Sequence, residues 1–218
     1  MAKRKDGKET RQKLLDVACE IFAEKGYGGA KISEICRRAG ANVAAVNYYF
    51  GGKADLYVAA WKQAMQEFMA TVVKPPEDVP PEEQLAFFIH RFIAKVLLLD
   101  GEKSHFRRLE LMEMANPTGL IDEAWKEEVA PRREELHRLI RQFMGPDVPE
   151  TTVRLCEMSI VNQCRGYILL SKNRADFWDK DELTADLVNQ IAEYTIHFSL
   201  AGIKAIRDRV RIKHSPTG

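Results

Sequence analysis

Asn47, Tyr48 and Tyr49 stand in a row between two small residues, Ala44 and Ala45, and a glycine pair, Gly51–Gly52, with Lys53 just beyond. An amide, two phenols and an ammonium so placed suit recognition: they can hydrogen-bond base edges and neutralise phosphates. Groupings that would do bond-breaking chemistry are missing. His90, His105, His137, His197 and His214 are scattered, with no HExxH, no zinc-type His/Cys spacing and no Gly-rich phosphate loop. No serine sits in a GxSxG context. Glu110 and Glu113 could share a helix face as paired carboxylates, but a salt bridge with Arg107 or Arg108 is the plainer account. The expectation is a binding protein with no catalytic residue, no metal and no cofactor, not an enzyme.

Two short helices must position the row. Ile32, Ile35, Cys36 and Ala39 recur at helical spacing and give the first helix one apolar face. Ala39-Gly40-Ala41 breaks it, because Gly40 can take the positive φ that a sharp turn between crossing helices needs. Asn42 is a good N-cap for the second helix, about Val43 to Tyr49. Val46 and Phe50, four apart, can anchor that helix to a core. The small Ala44 and Ala45 let its backbone approach a partner in the DNA major groove. Lys31 to Lys53 therefore reads as a helix-turn-helix, with Asn42, Val43, Ala44, Ala45, Asn47, Tyr48, Tyr49 and Lys53 as its DNA-facing residues.

From Thr10 to Leu56 the chain resembles the TetR family of bacterial transcriptional regulators. The resemblance rests on an amphipathic first helix, Ile32-Ser33-Glu34-Ile35, Ala39-Gly40, Val46-Asn47-Tyr48-Tyr49-Phe50 and Lys53. Where the family usually has Ser at 42, a polar residue or Gly at 43–44, Thr at 45 and His at 49, this chain has Asn42, Val43, Ala44, Ala45 and Tyr49. No known operator can be carried over. Residues 106–144 also resemble the CecR-like group, through Arg108-Leu109-Glu110, Glu113 and Asn116-Pro117-Thr118.

The rest of the chain reads as helix. A first helix from about Lys8 to Glu24 places Leu14, Ala18, Ile21 and Phe22 on one face, and Gly26, Gly28 and Gly29 end it. Residues 1–8 read as a disordered basic segment, either an arm for the phosphate backbone or minor groove or a solubilising tail. Residues 54–73 form a long helix that Pro75, Pro76, Pro80 and Pro81 terminate. Further helices follow over 82–99, 104–115, 120–144 (interrupted at Pro131), 150–170 and 183–209. The fold class is all-α: a DNA-binding domain over residues 1–55 and a helical regulatory and dimerisation domain over 56–218.

Charge supports that division. Residues 1–60 hold 11 Lys/Arg against 7 Asp/Glu, whereas the remainder holds 22 against 25. A basic head on a mildly acidic body suits a DNA-binding protein with a separate second function. No apolar run is long enough to cross a bilayer, and MAKRKDGKE lacks the apolar region of a secretory signal. Cys19, Cys36 and Cys156 lie on apolar helix phases, which favours buried free thiols and a cytoplasmic protein with no membrane partner.

The body is rich in aromatics and Met among sparse polar groups, a composition that suits a small-molecule pocket in a helical bundle. Phe88, Phe92, Phe106, Glu110, Trp125, Gln163, Tyr167 and Trp178 are its candidate lining. Apolar spacing on the last two helices suggests a second copy of the chain as partner, through Val153, Ile160, Tyr167, Leu187, Ile191, Tyr194 and Phe198. TetR-type regulators pair through these helices, and the resemblance implies a homodimeric repressor released from a palindromic double-stranded operator by a small hydrophobic effector. The alternatives are a regulator of the same fold governed by a protein partner or by no effector and, more distantly, an all-α enzyme.

Overall fold

Apolar residues that recur every three or four positions, without strand-like alternation, drive this chain into helices. The computed structural model describes residues 2–70, 75–99, 104–170 and 184–214, among which every regular element is helical. The elements are α1 (Ala2–Gly29), α2 (Ile32–Ala39), α3 (Val43–Phe50), α4 (Lys53–Ala70), α5 (Pro81–Ala94), a π-helical turn (Lys95–Leu99), α6 (His105–Ala115), α7 (Asp122–Glu128), α8 (Ala130–Met144), α9 (Glu150–Leu170) and α10 (Ala185–His214). No described helix is long and apolar enough to cross a membrane.

Several of these differ from the sequence reading: α1 continues past Glu24 to Gly29 across a non-helical Gly26, and the helix read over 82–99 ends in a π-helical turn. Helix α1 begins at Ala2, so the basic segment is its first turns. Ala, Lys and Arg are good helix formers, and no proline intervenes to stop α1 from propagating backwards. Helix α10 runs five residues beyond Arg209, to His214, through a stretch with neither glycine nor proline. The expected interruption near Pro131 is present, since α7 ends at Glu128 and α8 starts at Ala130. Pro131 thus sits in the first turn of a helix, where its missing N–H costs nothing.

The chain forms two compact units, Met1–Thr71 with Lys103–Ala130, and Val72–Glu102 with Pro131–Gly218. In the first, Leu14, Ala18, Ile21 and Phe22 of α1 are fully buried with Ile35, Leu56, Tyr57 and Ala60, while Val46 and Trp61 are 1% exposed. Helix α6 joins this core through Phe106 and Leu109. In the second, Leu85, Ile89 and Ile93 of α5, Leu139 and Ile140 of α8, Val153 and Cys164 of α9 and Val188 of α10 are buried completely. Charges are buried with them: Lys95 is 4% exposed, and Glu157 has 0% side-chain exposure, with the Arg133 guanidinium 2.6 Å away. Such a pair ties α8 to α9, because removing the arginine would leave an uncompensated interior charge.

All four cysteines are free and buried. Burial pushes the Cys19 and Cys164 thiols up to about 12, so at neutral pH both are protonated and poor nucleophiles.

Candidate nucleic-acid interface

The turn between α2 and α3 is built by its capping residues. Gly40 takes φ 66°, ψ 32°, and its N–H points back to the Arg37 and Cys36 carbonyls. The Ala41 N–H then donates to the Cys36 carbonyl at 2.9 Å, closing α2. Asn42 is extended, and its Oδ1 accepts from the Ala45 N–H at 2.9 Å. That bond satisfies one of the donors left open at the start of α3. At the far end Gly51 adopts φ 82°, and a Cβ there would lie 2.7 Å from an Asp55 carboxylate oxygen. Only glycine fits.

Inward-facing Val46 (1% exposed) and Phe50 (8%) fix the rotation of α3. Asn42, Val43, Ala44, Asn47 and Tyr48 are all exposed. Tyr48 is 83% exposed, and its ring meets Tyr49 edge-on at 4.9 Å. Ala45 and Tyr49 are half-buried. A Cβ on Gly7 would sit 3.1 Å from the Tyr49 hydroxyl, so Tyr49 leans on α1 while Tyr48 stands free. Lys53, also half-buried, places its ammonium 4.5 Å from the centre of the Tyr27 ring. At this range the ring quadrupole attracts the cation.

Basic residues outside the row flank it. Arg11 lies over the Phe50 ring at 4.8 Å, and Arg37 is exposed near the end of α2. Lys25 is bound to Glu34 at 2.7 Å and Arg38 to Glu20; these pairs brace α2 against α1. The Lys25 hydrogen bond holds the Glu34 carboxyl below the usual carboxylate range. Sequence reading missed Tyr27, Arg11 and Arg37. Tyr27 among Gly26, Gly28 and Gly29 was the available signal, because one aromatic in a glycine loop needs a packing partner.

The body residues proposed from sequence fall in both units. Phe106, Glu110 and Trp125 belong to the first, where Phe106 is 6% exposed and packs between Trp61 (5.6 Å) and Phe68 (5.0 Å). Glu113 accepts hydrogen bonds from Tyr57 and Thr118. In the second unit Phe88 and Phe92 are half-buried and stacked at 6.1 Å, and Gln163 is half-buried. The Tyr167 hydroxyl lies 3.1 Å from Thr195 Oγ1, which itself donates to the Ile191 carbonyl. Trp178 lies outside the described residues.

The proposed pairing residues divide sharply. Val153 (0%), Ile160 (1%) and Ile191 (5%) are consumed by the second unit's own core, whereas Tyr194 and Phe198 are 68% and 60% exposed. Leu187 and Tyr167 are half-buried. Among the described residues of α9, the exposed large apolar side chains are instead Leu155 (61%) and Met158 (50%). A helix with two apolar stripes has one for its own core and one to spare.

Comparison with known proteins agrees with this geometry. The model of the tetR family of bacterial regulatory proteins matches residues 14–60. That of the C-terminal domain of the HTH-type transcriptional dual regulator CecR matches residues 81–203. The dual regulator CecR of Shigella flexneri is 25% identical over 211 residues, covering 90% of this chain and 94% of that protein. Among solved structures, a TetR transcriptional regulator from Chloroflexus aurantiacus aligns at TM-score 0.63 and 17% identity, over 92% of this chain and 96% of its own. The transcriptional regulator FadR from Bacillus subtilis, solved in complex with stearoyl-CoA, aligns at TM-score 0.63 and 18% identity, over 88% and 98%. At these identities the two structures speak for the fold alone.

Proposed function

Because the chain belongs to the TetR family of bacterial transcriptional regulators, with a C-terminal domain of the CecR type, we propose that it is a homodimeric repressor that leaves a palindromic operator when a small hydrophobic molecule binds. The carrying observation is α3, capped at both ends, anchored by Val46 and Phe50, and presenting Asn47 and Tyr48 to solvent. In this reading Asn47, with Ala44 and Ala45, meets base edges; Tyr48 and Lys53 meet phosphates; Asn42, Val43 and Tyr49 border the contact. Residues 1–55 are the DNA-binding domain, and residues 56–218 pair the two copies and hold the effector. The protein works where bacterial DNA is, in the cytoplasm, without catalysis, metal or cofactor.

Pairing is supported by the solvent-facing Tyr194, Phe198, Leu155 and Met158. An apolar effector is supported by the half-buried aromatics Phe88, Phe92 and Tyr167, and by the stearoyl-CoA bound to a protein of the same fold. The effector acts only if it binds the DNA-incompetent state more tightly. Long-chain acyl-CoAs and a panel of hydrophobic antibiotics therefore test the reading by thermal shift and operator binding together. A true effector at about 100 times its Kd adds about 2.7 kcal/mol of stability, and it should release DNA over the same concentrations. DNA release with the melting temperature and tryptophan emission unmoved would contradict an effector seated in this body.

A further inference from the structure

Beyond the matched helix-turn-helix, an uninterrupted set of contacts reaches Lys53 from α6. Glu113 is 9% exposed and ties three donors together. Its Oε1 accepts from the Tyr57 hydroxyl at 2.5 Å and from the Thr118 hydroxyl at 2.8 Å, and its Oε2 accepts from the Thr118 N–H at 3.0 Å. The Thr118 hydroxyl accepts in turn from the Leu120 N–H at 3.1 Å, so the carboxylate holds the whole turn after α6. Tyr57, fully buried on α4, leans its ring on Tyr27 at 5.2 Å and meets Phe22 edge-on at 4.9 Å. Burial and then the Glu113 hydrogen bond raise the Tyr57 phenol above its ordinary range, which keeps it a donor. Lys53 and Tyr57 lie four apart on α4 and share the Tyr27 ring between them.

We propose that Glu113 is a positioning residue for DNA binding: through Tyr57 it fixes the Tyr27 ring, and the Tyr27 ring fixes the place of the Lys53 ammonium. The inference rests on the reading of Lys53 as a phosphate contact. A lysine has four rotatable bonds, and ordering it costs up to about 2 kcal/mol of side-chain entropy. A ring that holds the ammonium before DNA arrives removes part of that cost from binding. The ring is useful only while it is itself held, and Tyr27 follows Gly26, a residue at φ 67° where α1 kinks. Tyr57 and Glu113 supply the support. The part of the chain matched by the CecR-type domain, which includes Glu113 and Thr118, thereby sets the readiness of a DNA contact that lies in the other matched segment.

The test is a double-mutant cycle on operator affinity at several salt concentrations, with melting temperature recorded for every variant. Lys53→Ala alone should lower the salt slope by about 1. Tyr57→Phe keeps the ring and leaves Glu113 two donors. It should weaken binding roughly 3- to 10-fold, the range one hydrogen bond carries, and should have no further effect in the Lys53→Ala background. Tyr27→Leu should lower the slope as Lys53→Ala does, and Tyr27→Phe, which restores a ring, should recover it. If the Tyr57→Phe and Lys53→Ala effects simply add, Glu113 is a structural staple and the inference is overturned. A salt slope unmoved by Lys53→Ala overturns the phosphate role as well, so the two failures are told apart by that single variant.

Discussion

Glutamate at both Tyr194 and Phe198 should turn the protein into a folded monomer that binds its operator at least ~100-fold more weakly. The two rings stack at 6.3 Å with planes 16° apart, and more than half of each is exposed to solvent. Stacked, exposed aromatics on α10, with exposed Leu155 and Met158 on α9, which packs against it, are the kind of surface that marks a partner site. Two like charges facing their copies across a two-fold axis repel, and each must be desolvated to pair. Loss of the dimer converts the second half-site contact from an intramolecular event into a separate encounter, which removes the avidity. Glutamate at Val153, Ile160 or Ile191 should act differently, because those side chains lie in the second unit's core and the charge would unfold it. Light scattering with circular dichroism separates the two outcomes. A Tyr194→Glu/Phe198→Glu protein that stayed dimeric and bound DNA normally would place the interface elsewhere.

Asn47→Ala should cost about 1–3 kcal/mol on the cognate site and relax preference at one position in each half-site. The amide donates and accepts together, which matches the N6 and N7 of adenine, and the Ala44 and Ala45 methyls can meet a thymine methyl. Lys53→Ala should instead weaken all sequences alike and flatten the salt dependence, because a phosphate contact carries no base identity. Asn47 is exposed whereas Tyr49 is half-buried, which favours this assignment over one that aims Tyr49 at the bases. Equilibrium binding of both variants to cognate and single-base-altered operators, at two salt concentrations, measures the contrast. Base preference altered by Lys53→Ala and salt dependence alone altered by Asn47→Ala would reverse the two roles and rotate α3 from its present reading.

The helix-turn-helix was legible because its information is local. Gly40, Asn42 and Gly51 cap within a few residues, and Val46 and Phe50 declare their face by a spacing of four; the structure puts each where the sequence asks. The Tyr27–Tyr57–Glu113 contacts were not legible, because Tyr57 and Glu113 are 56 residues apart and neither spacing nor composition points from one to the other. The proposed pairing face was half legible. Periodicity shows that α9 and α10 each bury a stripe, but not whether the neighbour is the same chain or a copy. Val153, Ile160 and Ile191 therefore looked no different from Tyr194 and Phe198 until burial was known. Aromatic content misleads in the same way: Phe106, which suits a pocket wall by composition, spends both its flanks on Trp61 and Phe68.

Selection from a fully randomised duplex library with the intact protein tests the central claim most directly. Two copies of α3 related by a two-fold axis should enrich a near-palindrome whose half-sites lie about one helical turn apart, or a multiple of it. The Tyr194→Glu/Phe198→Glu variant should lose that symmetry. Enrichment of a single asymmetric site by the wild-type protein, or of no sequence at all, would contradict a dimeric regulator that reads DNA through Asn47.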